Sequence, residues 1–504
     1  MPRSTPQTAI ASPPCGSVRG EVRARADGES LAFRGIPYAA APVGRFRFAA
    51  PVPHPGWRGV RAALRNGPTP TLGPNGDGHS IPEPVVPGEE ILNLNVFTPT
   101  LAARLPVYVW VHGGSYVGGS PGGPWFDGAA FNKSGVVVVT ITYRLGFEGY
   151  GELPGAPSNR ALRDMVAALT WVQQNIAAFG GDPDRVTLGG QSAGGGAVLA
   201  LLAAPQARGL FHAAVCHSAP LPDIDPATAE RIGREFAHAC GIEHALEGWR
   251  EVPREQIVAA ERGLDAADLF SAVGDLYRIL SAREPVTAFG PVLDGDFLPS
   301  SGAATFRAGS GVPLLMGATS HEFNRLTQPL ARFLARGVSA AVLMGMGVPA
   351  PLARAYPHAH PHMSPAELLG QAITDRVFRI PAVQVAHERA AATETAPGTH
   401  APTWLWDFRW RSPVTDRAVH CLDLPFAWHT LGADRVCRLA GDDPPTALAD
   451  EMHTAIASFV RTHRAHWPAF SPDAPVAQVW DRESWTGRDP FRFERIAARV
   501  LAQV

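Results

Sequence analysis

Cysteine, lysine and long hydrophobic runs are all scarce in this chain. Its five cysteines, Cys15, Cys216, Cys240, Cys421 and Cys437, are odd in number and far apart, with no C-x-x-C pair. That argues against a disulfide framework and against a zinc or other metal site, and leaves buried free thiols as the expectation. Lys133 is the only lysine, so arginine supplies nearly all of the 44 basic residues, which 46 acidic residues offset to a formal net charge of -2. Nucleic acid and anionic membrane normally require a basic surface, so neither is an expected partner. The opening stretch, "MPRSTPQTAIASPPCGSVRG", lacks the apolar core of a secretory signal, and no later run is long and apolar enough to cross a bilayer. The expectation is a cytoplasmic protein acting on a small molecule.

What is present is a long chain with a large core. At 504 residues and 45% hydrophobic composition, residues 1–504 can form a single α/β domain, one sheet with insertions. Near the start, "GSVRGEVRARADGESLAFRGIPYA" alternates apolar and polar residues around Asp27-Gly28, a pattern predicting an antiparallel hairpin. Residues 65 to 90 are rich in Gly and Pro and lack periodicity, which predicts a surface loop. "LPVYVWVH" and "GVVVVTITYR" are continuous β-branched runs, as in strands covered on both faces. A helix follows, with Leu162, Val166, Leu169, Val172 and Ile176 at helical spacing. "DRVTLGG", "GGGAVLALLAAP" and "FHAAVCHS" repeat strand, helix, strand. This alternation predicts a large, mostly parallel central sheet with helices on both faces. Amphipathic, proline-broken stretches at about 222–290 and 324–398 read as cap-like helical insertions. "PVLDGDFLP", "VPLLMGAT" and "APTWLWDFRW" return to strand texture, and "ALADEMHTAIASFVRTHR" reads as a closing helix. No internal repeat is evident.

Between the strand "DRVTLGG" and the helix "AGGGAVLALLAAP" lies Gly190-Gln191-Ser192-Ala193-Gly194, a G-x-S-x-G pattern in the setting that a nucleophile elbow requires. A hydroxyl is a poor nucleophile at neutral pH, so such a serine needs a base, a group that orients the base, and donors for a developing oxyanion. "WVHGGSYVGGS" places glycines directly after a buried strand. The N–H groups of Gly113, Gly114 and Ser115, joined by that of Ala193, are the candidate oxyanion donors. His112, His217, His420 and His429 compete for the role of base.

Together "FRGIPYAAAPVGRFRF", "NLNVFTP", "WVHGGSYVGGS", "TYRLG", "NIAAFGGDPDRVTLGGQSAGG" and "PVLDGDFLP" resemble the type B carboxylesterases, from about residue 16 to 481. The resemblance implies the α/β-hydrolase fold and a Ser, Glu, His triad in that chain order. "GATSHEFNRL" resembles the family's acid segment and places that role on Glu322. "VHCLDLPFAW" resembles its histidine segment and places the base on His420, with His112 shaping the oxyanion turn. The order Ser192, Glu322, His420 is also the order expected of an α/β-hydrolase. The implied function is hydrolysis of small to medium, fairly apolar esters through an acyl-enzyme on Ser192, without a cofactor. A carbamate or lactone hydrolase with the same groups is an alternative; a non-catalytic, neuroligin-like binding protein is disfavoured by the intact triad.

The chain departs from the family in places. Ile91 in "EEILNLN" replaces a cysteine that often closes the preceding loop, and residues 65 to 90 carry no aromatic residue that could hold a quaternary ammonium, so choline esters are not expected substrates. Cys421 replaces the usual glycine and Asp423 the usual glutamate after the base, while His321 and Phe323 flank Glu322 where Asp and Gly are common. Ser218 resembles a family serine near the site and is expected to give structural support.

Overall fold

The computed structural model describes residues 7–25, 28–70, 81–222, 224–265, 269–281, 287–299, 311–334, 339–395 and 401–501. Its strands are β1 (Thr8–Ala11), β2 (Ser17–Arg25), β3 (Gly28–Pro37), β4 (Val60–Ala62), β5 (Asn93–Thr98), β6 (Leu105–Val111), β7 (Val137–Ile141), β8 (Gly181–Gln191), β9 (Ala213–His217), β10 (Leu314–Thr319), β11 (Thr403–Phe408), β12 (Val476–Trp480) and β13 (Trp485–Arg488). They form one sheet in the order β1-β2-β3-β5-β7-β6-β8-β9-β10-β11-β12-β13, with β4 beside β2. The run from β7 through β6 to β12 is parallel. At the edges, β1, β2, β3 and β5 on one side and β13 on the other pair antiparallel with their neighbours in that order, while β4 pairs parallel with β2.

Alternation along the central strands builds a core on each face. Val107, Val109 and Val111 of β6 join Val186 and Leu188 of β8 and the helices Arg160–Asn175 and Ala193–Ala203 on one side. Tyr108 and Trp110 of the same strand join Trp428 and the helix Thr446–Thr462 on the other. Full burial of each such side chain contributes about 1.5–3 kcal/mol, so both faces tie β6 and β8 firmly in place. In the helix Arg160–Asn175, Leu162, Leu169 and Val172 are fully buried, as is Ile176 just beyond it, whereas Val166 is half-buried.

Three readings are adjusted, and a fourth, the loop, holds where it is described. Arg25 pairs with Gly28, so Gly28 is the first residue of β3, and Asp27, assigned to the turn, lies outside the described residues. The predicted loop at 65 to 90 has no regular element where described, and residues 71 to 80 lie outside the described residues. "PVLDGDFLP" is not a strand. Asp294 Oδ1 accepts the N–H groups of Asp296, Phe297 and Leu298 at 3.1, 2.9 and 2.9 Å, and this local capping competes with a sheet ladder; only Val292 bridges, to Ile224. All five cysteines are free, but only Cys216 and Cys240 are buried; Cys437 is exposed.

The 222–290 stretch contains the helices Pro226–Ala239, Leu246–Glu251, Arg254–Asp265 and Leu269–Ser281, and the 324–398 stretch contains Ser339–Gly345, Ala350–Ala359, Pro365–Thr374 and Ile380–Thr395, with one π-helical turn at Asp375–Arg379. Among the described residues, no helix is long and apolar enough to cross a membrane.

Candidate active site

The order β7-β6-β8 reverses the direction of chain travel across the sheet, and at such a switch the loops leaving the strand carboxyl ends part to form a crevice. A cavity of 630 Å³ opens there. Its wall includes Gly113, Gly114 and Ser115 after β6, Ser192 after β8, Glu322 after β10, and His420 with Cys421 after β11. Ala193 is not in the wall; it lies buried behind Ser192 as the first helical residue, a position whose N–H has no partner within the helix.

Ser192 has φ 55° and ψ -127°, a conformation that costs a non-glycine residue about 1–3 kcal/mol and survives only where its surroundings enforce it. Two hydrogen bonds do so: Ser192 N–H donates to His217 O and Gly196 N–H donates to Ser192 O, both at 2.9 Å. Gly194 permits the tight packing, since a Cβ there would lie 2.2 Å from Val111 O and 2.5 Å from His112 O.

Glu322 and His420 meet across two loops. His420 Nδ1 stands 2.5 Å from Glu322 Oε2, and the carboxylate's other oxygen accepts Ser218 Oγ–H at 2.6 Å and Thr319 N–H at 2.8 Å. The backbones are joined as well: His420 N–H donates to Glu322 O at 3.1 Å and His321 N–H to Ala418 O at 3.0 Å. His321 Nδ1 accepts Ala418 N–H at 3.4 Å, and burial, with Arg379, Arg417 and Arg411 nearby, lowers that imidazole to about 3, so it stays neutral beside the acid.

Because a carboxylate only accepts, His420 carries a proton on Nδ1, and in its neutral form the lone pair lies on Nε2. Burial opposes the charged imidazolium, yet the adjoining Cys421 sulfur and the Glu322 carboxylate outweigh it and hold His420 well above the usual histidine range. Phe378 stacks on the imidazole at 5.0 Å and Phe323 packs at 5.1 Å.

The other histidines stand elsewhere. His112 Nδ1 lies 2.8 Å from Gly113 O; burial lowers its pKa to about 4, so a neutral ring donates Nδ1–H to that carbonyl. In a trans peptide the next N–H points the opposite way, so this bond fixes the direction of Gly114 N–H. Gly119 packs on the pair: a Cβ there would lie 2.1 Å from His112 Nδ1. His217 is buried against Asp423, and His429 pairs with Asp450 on the surface at 2.7 Å.

Sequence reasoning missed two residues. Gln191, itself buried, sets its amide Nε2 3.1 Å from His420 Nε2 and 3.2 Å from Cys421 Sγ; its place beside Ser192 was the available signal. Phe378 comes from the π-helical turn, and no local motif marks it. The rest of the wall is largely apolar, with Ile81, Phe126, Leu326, Val419 and Leu439, plus the charged Glu83 and Arg325. The described helices at 226–281 contribute nothing to it, and the 324–398 stretch only Arg325 and Leu326. Among the described residues, no cluster of His, Cys, Asp and Glu could hold a metal ion.

Residues 7–335 match the model of the carboxylesterase family. The chain is 32% identical to a para-nitrobenzyl esterase of Bacillus subtilis (strain 168), over 94% of this chain and 95% of that one. It is 33% identical to a phenmedipham hydrolase of Pseudarthrobacter oxydans, over 93% and 95% of the two chains. The solved structure of a Geobacillus stearothermophilus carboxylesterase matches with a TM-score of 0.80 and 33% identity, covering 97% of this chain and 99% of that one. With the parallel sheet, its flanking helices and the antiparallel N-terminal strands, these matches establish that the chain belongs to the carboxylesterase family of α/β-hydrolases and is a carboxylic ester hydrolase.

Proposed function

We propose that the enzyme cleaves small to medium, fairly apolar esters through an acyl-enzyme on Ser192, with His420 as base, Glu322 as the acid that orients it, and the N–H groups of Gly113, Gly114, Ser115 and Ala193 as oxyanion donors. The observation that carries this reading is the 2.5 Å contact between His420 and Glu322 in the same 630 Å³ cavity as a strained Ser192. His420 Nε2 takes the Ser192 proton as Oγ attacks the carbonyl carbon. Glu322 stabilises the imidazolium, and the oxyanion collapses as His420 returns the proton to the departing alcohol. Water, deprotonated by the same imidazole, then releases the acid and frees Ser192. The chemistry needs no cofactor. The apolar wall favours uncharged acyl and alcohol groups.

In this reading the helical stretches are cap-like insertions of one hydrolase domain spanning 1–504, and the five unpaired cysteines support a reducing, cytoplasmic location.

A fluorophosphonate should add to Ser192 alone, located by peptide mass spectrometry. Ser192→Ala should lower turnover of a para-nitrophenyl ester by about six orders of magnitude or to background. Retained turnover in a clean Ser192→Ala preparation would falsify the nucleophile, and a panel of esters, carbamates and lactones separates the ester reading from its alternatives.

A further inference from the structure

Behind the cavity lies a buried histidine–carboxylate pair that the proposed reaction does not use. His217 Nδ1 stands 2.7 Å from Asp423 Oδ2, with side-chain exposures of 1% and 0%. The remaining carboxylate oxygen, Oδ1, is buried and has no hydrogen-bond partner among the described residues. Trp110 and Trp406 close on the imidazole at 5.7 and 5.2 Å. Such a pair is a weak source of stability: desolvation costs several kcal/mol per ion and can exceed the attraction regained, and the orphaned oxygen adds to that cost.

Its position offers what its energy does not. His217 ends β9 in register with Gln191 of β8, its carbonyl receives the Ser192 N–H, and the next residue, Ser218, holds Glu322. Asp423 belongs to the base loop. Between it and His420 sits Cys421 at φ 67°, in the left-handed region where an L side chain costs roughly 1–2 kcal/mol. A loop bent that way needs a hold from outside itself. Asp423, directly before the short helix Leu424–Ala427, is where that hold is applied.

We propose that the His217–Asp423 pair is a clamp that sets the base loop against the nucleophile elbow, making both residues positioning residues for proton transfer between Ser192 and His420. Neither lines the cavity, so neither touches substrate. The proposal rests on the roles assigned above to Ser192, Glu322 and His420.

The test compares the parent with Asp423→Ala, Asp423→Asn, His217→Phe and the double variant His217→Phe/Asp423→Ala, by steady-state kinetics on para-nitrophenyl acetate, with folding checked by circular dichroism. Each disruptive single variant should lose about ten- to a hundredfold in kcat with KM within about twofold, the pattern of a displaced catalytic group rather than of lost binding. Asp423→Asn keeps the shape and one acceptor for His217, and should retain several-fold more activity than Asp423→Ala. The double variant should be no slower than the slower single, because both changes cut one link. Folded variants with kcat within about twofold of the parent, or losses that simply multiply in the double variant, overturn the clamp. If Asp423→Ala does not fold, Asp423→Asn and the double variant, which leaves no lone buried charge, decide the matter by the same readings. Fluorophosphonate labelling of Ser192 and the activity of His420→Ala test the underlying roles separately: if those fail, the reading of the site falls, and if they hold while the clamp variants match the parent, the clamp alone falls.

Discussion

The two halves of the site are built in different ways. The elbow half, β6 and β8 with the turns that follow them, is held by its own backbone: glycines let chain segments touch, and Ser192 is fixed by bonds to His217 O and from Gly196 N–H. The acid–base half joins two loops whose order depends on side chains from distant segments, Ser218 on Glu322, Phe378 on His420 and His217 on Asp423. A site divided this way should respond to substitution differently on its two sides, the elbow through sterics and the acid–base half through electrostatics.

The largest expected effect in the acid–base half comes from Glu322→Gln, which should lower kcat/KM by on the order of 10⁴. Its pH profile carries a second reading. With His420 as the proposed base, catalysis needs its neutral form, so activity should rise as pH rises through its pKa, and in the parent that rise should fall above about 6.5, the ordinary histidine value. Removing the carboxylate removes part of what favours the imidazolium, so in Glu322→Gln the rise should move to lower pH. An unmoved profile would show that Glu322 does not set the base.

On the elbow side, Gly119→Ala drives a methyl group into His112 Nδ1 and should release the Gly113 carbonyl. The expected loss is about a hundredfold in kcat, that of one oxyanion donor, with affinity for a boronic-acid analogue falling in parallel. Unchanged analogue affinity would separate His112 from oxyanion stabilisation. The smallest effect is expected from Cys421→Gly. It relieves the positive φ but gives the unfolded chain more freedom, so stability should change by less than about 1 kcal/mol in a thermal melt. A tenfold loss of activity would instead show that the thiol itself is needed.

The same division explains what was legible in the sequence. Strand, elbow and helix around Ser192 are contiguous, and both glycine turns follow runs whose apolar pattern already marks buried strands. Glu322 and His420 were assigned through family segments, because neither has a local pattern that a surface residue would lack. The contacts that surround them were invisible: Phe378 lies in a helical turn far along the chain, and His217 and Asp423 meet across the sheet. At "PVLDGDFLP" the composition reads as a strand, yet the Asp294 carboxylate gathers three backbone N–H groups into a turn. Side-chain chemistry of that kind overrides periodicity.

The Gln191 amide resting on His420 Nε2 means that, on the proposed reading, the idle base already has a partner. Each productive encounter must trade that amide for the Ser192 hydroxyl, an exchange of one hydrogen bond worth about 1 kcal/mol. Water must win the same trade before the acyl group can leave. On that reading the resting enzyme is latched by its own scaffold: a bound ester must displace the latch before the serine is activated, and a water must displace it before that water can attack the acyl group.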